Sequence, residues 1–422
     1  MFDELRNIKL ISMKSKPVHS KSAKRQAALG VTTKVLRLRI KDKHASLLLA
    51  QSREVNQVWN FCQEASLKIL ERESRFCTGY DLDQLTVGAT KEGLSLHSQT
   101  LQAISSEYCT RRRQFKKCKL RWRVSRGTER SLGWIPVKAV ALRYKGGQVH
   151  YQGKPISLWD SYGLEDYELR SGSFCEDARG RWYLNVTVDV EKPEASTGTR
   201  SVGIDLGLKD FATCSDGAKI EAQQIYRGAE VVLTVAQRAN KKRRVKAIHA
   251  KIANRRKDFL HKLSTGLVQG NGAIFVGNVN ASGLAKTKMA KSVLDAGWSA
   301  FRTMLKYKCD HAAVWFDEVN ESYSTQECCV CHTRTGPKGL ADLAVRQWSC
   351  SACGTQHDRD TNAARNILAR GLVLMELSSA GDAKAVEAAL NKDSRNKLMQ
   401  SAFAAGVGQG PLDAGIIAPS RR

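Results

Sequence analysis

The chain has 422 residues and a formal net charge of +27, from 68 Lys and Arg against 41 Asp and Glu. That length provides for two or three domains with a substantial core, and so positive a charge argues for a polyanionic partner, nucleic acid ahead of an anionic membrane surface. No apolar run reaches the roughly 18 residues of a membrane-spanning helix, the first residues lack the apolar core of a secretory signal, and the 12 cysteines form no dense disulfide framework, so a reducing cytoplasm is the expected compartment.

Residues 1–30 are basic, small and polar with little periodicity, and are expected to form a flexible basic arm that could order on nucleic acid. VTTKVLRLRIK, from Val31, alternates apolar and cationic residues, the pattern of a strand with one buried face and a positive outer one. From 45 to 130 the periodicity is helical, with Trp59 and Phe61 expected to be core or helix-packing residues and base stacking as the lesser alternative. The second helical stretch turns strongly basic. Arg111, Arg112, Arg113, Lys116, Lys117, Lys119, Arg121 and Arg123 encircle nearly a full turn, more than a salt-bridged surface needs. A grip on backbone phosphates is expected there, against the alternative of a solvated charged face. Between 131 and 195 strands return, separated by the turn signals KGG, QGK and DARG. Together with 31–44 they predict a β-barrel interrupted by the helical insert. EKPEASTGTR, at 191–200, has the composition of a linker.

RSVGIDLGLKDFATCSDG follows: an apolar run reaching Asp205, then Gly207 and a second strand ending in a Ser-Asp-Gly turn. It resembles the opening hairpin of a ribonuclease H-like fold. A carboxylate in a buried strand is costly unless it is paired or holds a metal, which makes Asp205 a candidate ligand. Residues 228–268 predict one long basic helix with a narrow apolar stripe of Val245, Ile248 and Ile252. Its cations, Lys241, Lys242, Arg243, Arg244, Arg255 and Arg256, are expected to run along a nucleic-acid backbone. His249 and His261 have no spaced partner and are not expected to bind metal. IFVGNVN is the next strand, LDAGWSAFRTMLKYKCDHAAVWF a helix with Trp298, Phe301 and Leu305 on its apolar face, and VWFDEVNES a further strand. The Ala-, Gly- and Asp-rich segment 376–422 is expected to be a partly disordered tail.

The richest stretch is Glu321–Asn366. Two CxxC pairs, Cys328/Cys331 and Cys350/Cys353, stand about 20 residues apart, the spacing of a four-thiolate zinc ribbon. Four thiolates give closed tetrahedral coordination, so the expected Zn²⁺ is structural. His332 and His357 are close enough in sequence to compete as ligands, and Cys329 is expected to be a bystander. Acidic residues flank the ribbon, Glu318 and Glu321 before it, Asp358 and Asp360 after it.

Taken together, GIDLG, the basic helix, SYSTQECCVC…WSCSACG and DRDTNAARNIL resemble the TnpB family of transposon-encoded RNA-guided nucleases, relatives of the type V CRISPR effectors and of the eukaryotic Fanzor proteins. The motifs span about 200–370; the N-terminal half matches in layout only. The resemblance implies an α/β fold: a RuvC-like ribonuclease H fold (196–321 and 358–375) with an inserted four-Cys zinc ribbon (322–357). It also implies an N-terminal β-barrel "wedge" (31–44 and 131–195) interrupted by a helical recognition lobe (45–130). The implied activity is Mg²⁺-dependent DNA endonuclease chemistry on double-stranded target DNA chosen by a guide RNA and a short adjacent motif, in a bacterial cytoplasm and at the nucleoid when DNA is bound, with oligomeric state left open. RuvC-type hydrolysis uses carboxylates that hold two divalent ions, and Mg²⁺ suits an all-oxygen site. The family's first Asp maps to Asp205 and its last to Asp360 in DxNAAxN. Asp358 is the weaker candidate, while Asn362 and Arg365 are expected to hold that turn or touch the scissile strand.

One departure stands out. Where most of the family has a Glu-Asp pair, this chain has Gly277 and Asn278. Either the nuclease is inactive, as in RNA-guided repressors, or the glutamate has moved. Some TnpB and Fanzor proteins carry it just ahead of the ribbon in an E-x-x-T/S arrangement, which Glu321-Ser322-Tyr323-Ser324 fits. The expected Mg²⁺ ligands are therefore Asp205, Glu321 and Asp360, with Glu318 as the lesser alternative to Glu321. A CRISPR-associated miniature effector of the same fold is the remaining alternative.

Overall fold

The computed structural model describes residues 30–91, 93–191, 198–338 and 341–379. The expected basic arm, most of the expected linker and the tail beyond Ser379 lie outside the described residues. The chain divides into two compact units, Met1–Lys192 and Pro193–Arg422.

In the first unit the alternating strand β1 (Val31–Ile40) pairs antiparallel with β8 (Trp182–Glu191), from Val31 opposite Glu191 to Arg39 opposite Tyr183. The period of two sends Leu36, Leu38 and Ile40 of β1 and Trp182, Leu184, Val186 and Val188 of β8 into the core. With β2 (Trp134–Val137), β6 (Leu158–Trp159) and β7 (Leu169–Glu176) they form a sheet of order β2-β7-β8-β1-β6. The strands β3 (Leu142–Lys145), β4 (Gln148–Tyr151) and β5 (Lys154–Ile156) make a separate meander. Strands on both sides of the helical insert thus share one sheet, but among the described residues the pairings form two open sheets and do not close a ring.

The insert is α1 (Ala45–Glu73), α2 (Gly79–Leu85) and α3 (Ser98–Phe115). Trp59 is buried, edge-on to Tyr108 and Trp134 at ring-centroid distances of 5.3 and 6.1 Å. Phe61 is 44 % exposed and does not join the core, because α1 buries only one of its faces. The second helix also stops sooner than its basic run predicts: Lys116 turns left-handed, with φ 51°. The chain beyond is held to α1 by Asn60, whose amide donates to the Arg123 carbonyl and accepts from the Arg123 N–H, both at 2.9 Å.

The second unit is built on a sheet of order β11-β10-β9-β12-β13. Its strands are β9 (Ser201–Leu206), β10 (Asp210–Cys214), β11 (Lys219–Glu221), β12 (Ala273–Gly277) and β13 (Trp315–Val319). β9, β10 and β11 form an antiparallel meander; β12 runs parallel to β9, and β13 parallel to β12. All five residues of β12 are buried, as a central parallel strand covered on both faces requires. Ile274 and Val276 pack with Phe211, Phe301 and Leu305 on one face, and Ala273 and Phe275 with Ile367 and Leu374 on the other.

The first face is covered by α5 (Lys242–Gly270) and α8 (Trp298–His311), reached through α4 (Glu230–Arg238), α6 (Ala281–Leu284) and α7 (Ala290–Ala296). Two expected helices are interrupted here. The 228–268 helix breaks into α4 and α5 at Asn240, φ 49°, and the helix beginning near Leu294 breaks at Gly297, φ 72°. The opposite face carries α9 (Arg359–Ser379), which extends past the expected boundary at 375. Between β13 and α9 lies the cysteine-bearing segment with its hairpin β14 (Gln347–Ser349) and β15 (Gln356–Asp358).

The approach of α9 to the sheet is close. A Cβ on Gly203 of β9 would lie 2.3 Å from the Ala364 carbonyl oxygen and 2.5 Å from the Leu368 nitrogen, both helix backbone. Rigid backbone cannot yield as a side chain can. Gly203→Ala should therefore destabilise the protein by at least about 1–3 kcal/mol, the usual cost of overpacking. A melting temperature within error of the parent protein would contradict this packing.

Candidate active site

The site lies where the C-terminal edge of the sheet meets the start of α9. Asp205 is the penultimate residue of β9, the strand in the middle of the sheet. Ile204 pairs with Val276 and Gly277 with Val319, so Asp205, Gly277 and Val319 end their strands side by side. Glu321 follows Val319 by two residues. Asp360 sits in the first turn of α9. Parallel strands align their ends by register, and α9 crosses that edge; this brings residues 155 positions apart in sequence near one another.

The electrostatics of Asp205 show how close they come. Its carboxyl is pushed well above the usual carboxylate range, first by burial, then by the charges of Glu321 and Asp360, with Arg359 and Arg346 opposing. Burial also raises Glu321, tempered by Arg302. Asp360 is held by Arg346, whose Nη1 donates to both carboxylate oxygens at 2.8 and 2.7 Å. The three carboxylates gather without closing up: among the described residues, the four ribbon cysteines alone bring three or more ligand atoms of such groups within 4.8 Å of one another.

Gly277 has a definite geometry here. A Cβ at that position would lie 2.7 Å from Oε2 of Glu321 and 3.3 Å from its Cβ. The Glu321 side chain occupies the space that any side chain at 277 would enter. Asn278 is tied to the same arrangement: its Oδ1 accepts the Glu321 N–H at 3.3 Å, and its own N–H donates to the Val319 carbonyl at 2.8 Å.

The other acids are committed elsewhere. Glu318 accepts from Arg302 at 2.9 Å. Asp358 accepts from the Thr361 N–H at 3.0 Å and hydroxyl at 2.9 Å, and from Lys219 at 2.8 Å, so it caps the start of α9. Asn362 and Asn366 are buried, and their amides each donate to the carbonyls of Ser324 and Glu327, between 2.7 and 3.1 Å. Arg365 is exposed and donates to the Ser215 carbonyl at 3.3 Å.

The four sulfurs of Cys328, Cys331, Cys350 and Cys353 form a cluster that could hold a zinc ion. The donor chemistry fits. Hydroxyls help to stabilise thiolates, Thr335 donating to Cys350 Sγ at 3.2 Å and so holding that thiol at about 5. Cys328 is pushed up to about 12 by burial, the kind of penalty a cation offsets. His357 stands outside the cluster. Its Nε2 lies 3.1 Å from Cys328 Sγ, and its ring packs on Trp348 at 4.6 Å. Cys329 points its N–H to the Asn362 side chain at 2.9 Å.

The expected phosphate-binding cations divide into two sets. Arg112 is a correction: it is buried, and donates to Ser66 Oγ at 2.7 Å, the Cys77 carbonyl at 2.7 Å and Cys77 Sγ at 3.3 Å. Arg123 is half-buried and donates to Asn56 and the Leu132 carbonyl. Arg256 holds Asp295 through its side chain and carbonyl, both at 2.8 Å. All three are committed to partners within the protein, Arg112 and Arg256 because helix packing turns them inward and Arg123 because the chain after α3 lies against α1. Arg111 pairs with Glu107 and Arg121 with Glu129 at the surface. Arg113, Lys116, Lys117, Lys241, Lys242, Arg243, Arg244 and Arg255 are exposed.

Sequence reasoning missed Arg346, and read Asn278 only as a departure from the family pattern, not as a partner of the Glu321 N–H. Arg346 is one cation among 68 Lys and Arg, and only the β14–β15 hairpin returns it to Asp360.

Two family models match. One, described as "Probable transposase" (OrfB_IS605), covers residues 184–288; the other, the Cas12f1-like TNB domain, covers 298–367. A "Putative RNA-guided DNA endonuclease" of Streptomyces pristinaespiralis is 35% identical over 263 residues, 57% of this chain and 63% of that protein. The "Putative RNA-guided DNA endonuclease InsQ" of Escherichia coli (strain K12) is 29% identical over 226 residues, 46% of this chain and 54% of that protein. The chain thus spans less than two thirds of the length of these curated relatives. A cryo-EM structure of a Cas12f1-sgRNA-target DNA complex aligns with 80% of this chain and 99% of its own at 15% identity and a TM-score of 0.34. The family models and relatives bear out the resemblance to the TnpB family drawn from the motifs.

A carboxyl raised in the fold contributes most to stability when protonated, and that contribution is lost as pH rises from its ordinary value through the raised one. Asp205→Asn removes the loss. In zinc-replete buffer free of Mg²⁺ and Mn²⁺, the variant should melt higher than the parent at about pH 8, with the difference shrinking toward about pH 4. Calorimetry at the two pH values checks it; equal melting temperatures at the higher pH would count against a desolvated Asp205.

Proposed function

We propose that this protein is an RNA-guided DNA endonuclease of the TnpB type, in which Glu321 replaces the glutamate missing at position 277. The observation that carries the reading is the space above Gly277, filled by the Glu321 carboxylate. A chain that had merely lost its glutamate would have no reason to aim another into the same place. The sheet order, three antiparallel strands followed by two parallel ones with Asp205 at the centre, supports a RuvC-like ribonuclease H fold. The first unit would then supply the wedge and recognition lobe.

Asp205, Glu321 and Asp360 offer oxygen donors only, which fits Mg²⁺. When bound, two such ions would activate the attacking water and stabilise the leaving 3′ oxygen. The residues' own part is to converge and to exclude competing charge. Asp205 and Glu321 hold raised carboxyls that a divalent cation would return to the ionised state. Arg346 must give up part of its hold on Asp360, and is then placed to meet a phosphate. The exposed cations Lys241, Lys242, Arg243 and Arg244 open α5 with no acidic residue in its first turn. Cations at a helix N-terminus oppose the helix dipole, a cost that binding of guide RNA or target DNA would offset.

Gly277 also favours a second reading, a nuclease-inactive RNA-guided DNA-binding repressor. Incubating the protein–guide RNA complex with matched duplex DNA and Mg²⁺ separates the two. Glu321→Ala should reduce cleavage to background while DNA binding persists, and Glu318→Ala should leave cleavage largely intact. The pair Gly277→Glu with Glu321→Ala should recover part of the activity, since the space is vacated in the same molecule. Absence of cleavage in the parent complex with verified DNA binding would support the repressor and sink the nuclease reading.

The ribbon joins Glu321 to Asp360 along the chain. Stripping zinc should abolish cleavage as well as loosen 322–357 locally, measured as activity against zinc content. Cleavage that survives complete zinc removal would show that the ribbon does not set the site.

A further inference from the structure

Asn362, Asn366 and Arg370 recur at intervals of four on α9, share one face, and are all buried. The asparagines grip the chain at Ser324 and Glu327, beyond the candidate glutamate. Arg370 grips it on both sides of that glutamate. Its Nη1 donates to the Asn320 carbonyl at 2.9 Å and the Ser322 carbonyl at 3.1 Å. Its Nη2 donates to Glu327 Oε2 at 2.8 Å, which balances the buried charge.

Such a grip answers a need particular to this chain. Asp205 stands in a central strand and Asp360 on a helix, so each is fixed by secondary structure. Glu321 lies beyond the end of β13, the edge strand of the sheet, with no ladder of its own. Asn278 supplies one hydrogen bond to its N–H, at 3.3 Å. A carboxylate on such a segment can rotate or retreat unless its backbone is pinned, and ligand sites lose affinity when their supports are loosened. The guanidinium is suited to pinning it, because its planar fork serves two carbonyls and a carboxylate together, which an ammonium cannot match in geometry.

We propose that Arg370 is the positioning residue for Glu321, setting the carboxylate's place by holding the main-chain carbonyls of Asn320 and Ser322; the role rests on the reading of Glu321 as a cation ligand. Because Arg370 and Asp360 stand on one helix, about 15 Å apart at 1.5 Å per residue, the same rod fixes two of the three carboxylates. Glu327 completes the clamp by neutralising the guanidinium.

The test uses the full chain with its guide RNA. Its variants are Arg370→Lys, the charge-balanced pair Arg370→Met with Glu327→Gln, and Glu321→Ala. Mn²⁺ binding is measured by the electron paramagnetic resonance of free Mn²⁺, beside the Mg²⁺ dependence of cleavage, zinc content and hydrogen exchange of the 320–323 amides. In the pair, Mn²⁺ affinity should fall about 10- to 100-fold, as for other ligand-orienting groups. The half-saturating Mg²⁺ should rise by a similar factor, and the amides should exchange faster, while zinc content and DNA binding hold. Arg370→Lys should fall between the pair and the parent. Should the pair fold poorly, Arg370→Lys carries the same measurement, since it keeps the charge against Glu327. Parental Mn²⁺ affinity and Mg²⁺ dependence in a folded Arg370 variant would overturn the positioning role alone. Parental Mn²⁺ affinity in Glu321→Ala would overturn the assignment of Glu321, and this role with it.

Discussion

The second unit depends on one close contact, the seating of α9 on β9 at Gly203, where the helix backbone stands in the place of a side chain. From that seating, Asp360 in the first helical turn reaches the end of the sheet where Asp205 lies. A helix held further out by one methyl would carry Asp360 away from Asp205 and lift its buried polar face off the segment it grips. Gly371 repeats the constraint up to about two turns on, where a Cβ would fall 2.1 Å from the ring of Phe275. Packing density thus fixes the spacing of Asp205 and Asp360.

That spacing works against electrostatics. Burial raises the Asp205 carboxyl first, and the charges of Glu321 and Asp360 raise it further. The fold tolerates this by placing cations at the margin. Arg346 takes both oxygens of Asp360, and Arg302 takes Glu318 while tempering Glu321. Each compensating cation comes from a different part of the chain, Arg302 from α8 and Arg346 from the stretch just before β14. The recess is therefore poised for positive charge, and its protein-borne substitute is held by hydrogen bonds that can be exchanged.

Much of this was legible in the sequence, for physical reasons that differ from residue to residue. The four cysteines carry their chemistry in their spacing, and the structure gathers their sulfurs. β1 and β12 show their faces through period-two alternation and through continuous apolar character. What escaped were contacts that no periodicity encodes. Arg112 looks like its neighbours Arg111 and Arg113, yet one helical position turns it inward to Ser66 and Cys77. Phe61 looks like Trp59, yet two residues along α1 are about 200° apart and one of them faces outward. The breaks at Asn240 and Gly297 were lost in otherwise strong helical patterns, because a single left-handed residue leaves the composition of its surroundings unchanged. Arg346 became visible only once a hairpin had folded back.

The same distinction bears on Gly277. In sequence, a glycine where the resemblance implies a carboxylate reads as a loss. In the fold, positions 277 and 321 compete for one volume, and a Cβ at 277 would press on Glu321 at 2.7 Å. The two arrangements are then alternatives of one site, and neither can be reached from the other by a single substitution without an intermediate that has two crowded carboxylates or none. On the proposed reading, a carboxylate at 321 stands beyond the edge strand β13, where no strand ladder holds it. The buried face of α9 fastens this chain instead, Asn362, Asn366 and Arg370 binding it from Asn320 to Cys329. The asparagines hold the ribbon's root as they do so, which ties the cysteine cluster to the carboxylates through one helix face.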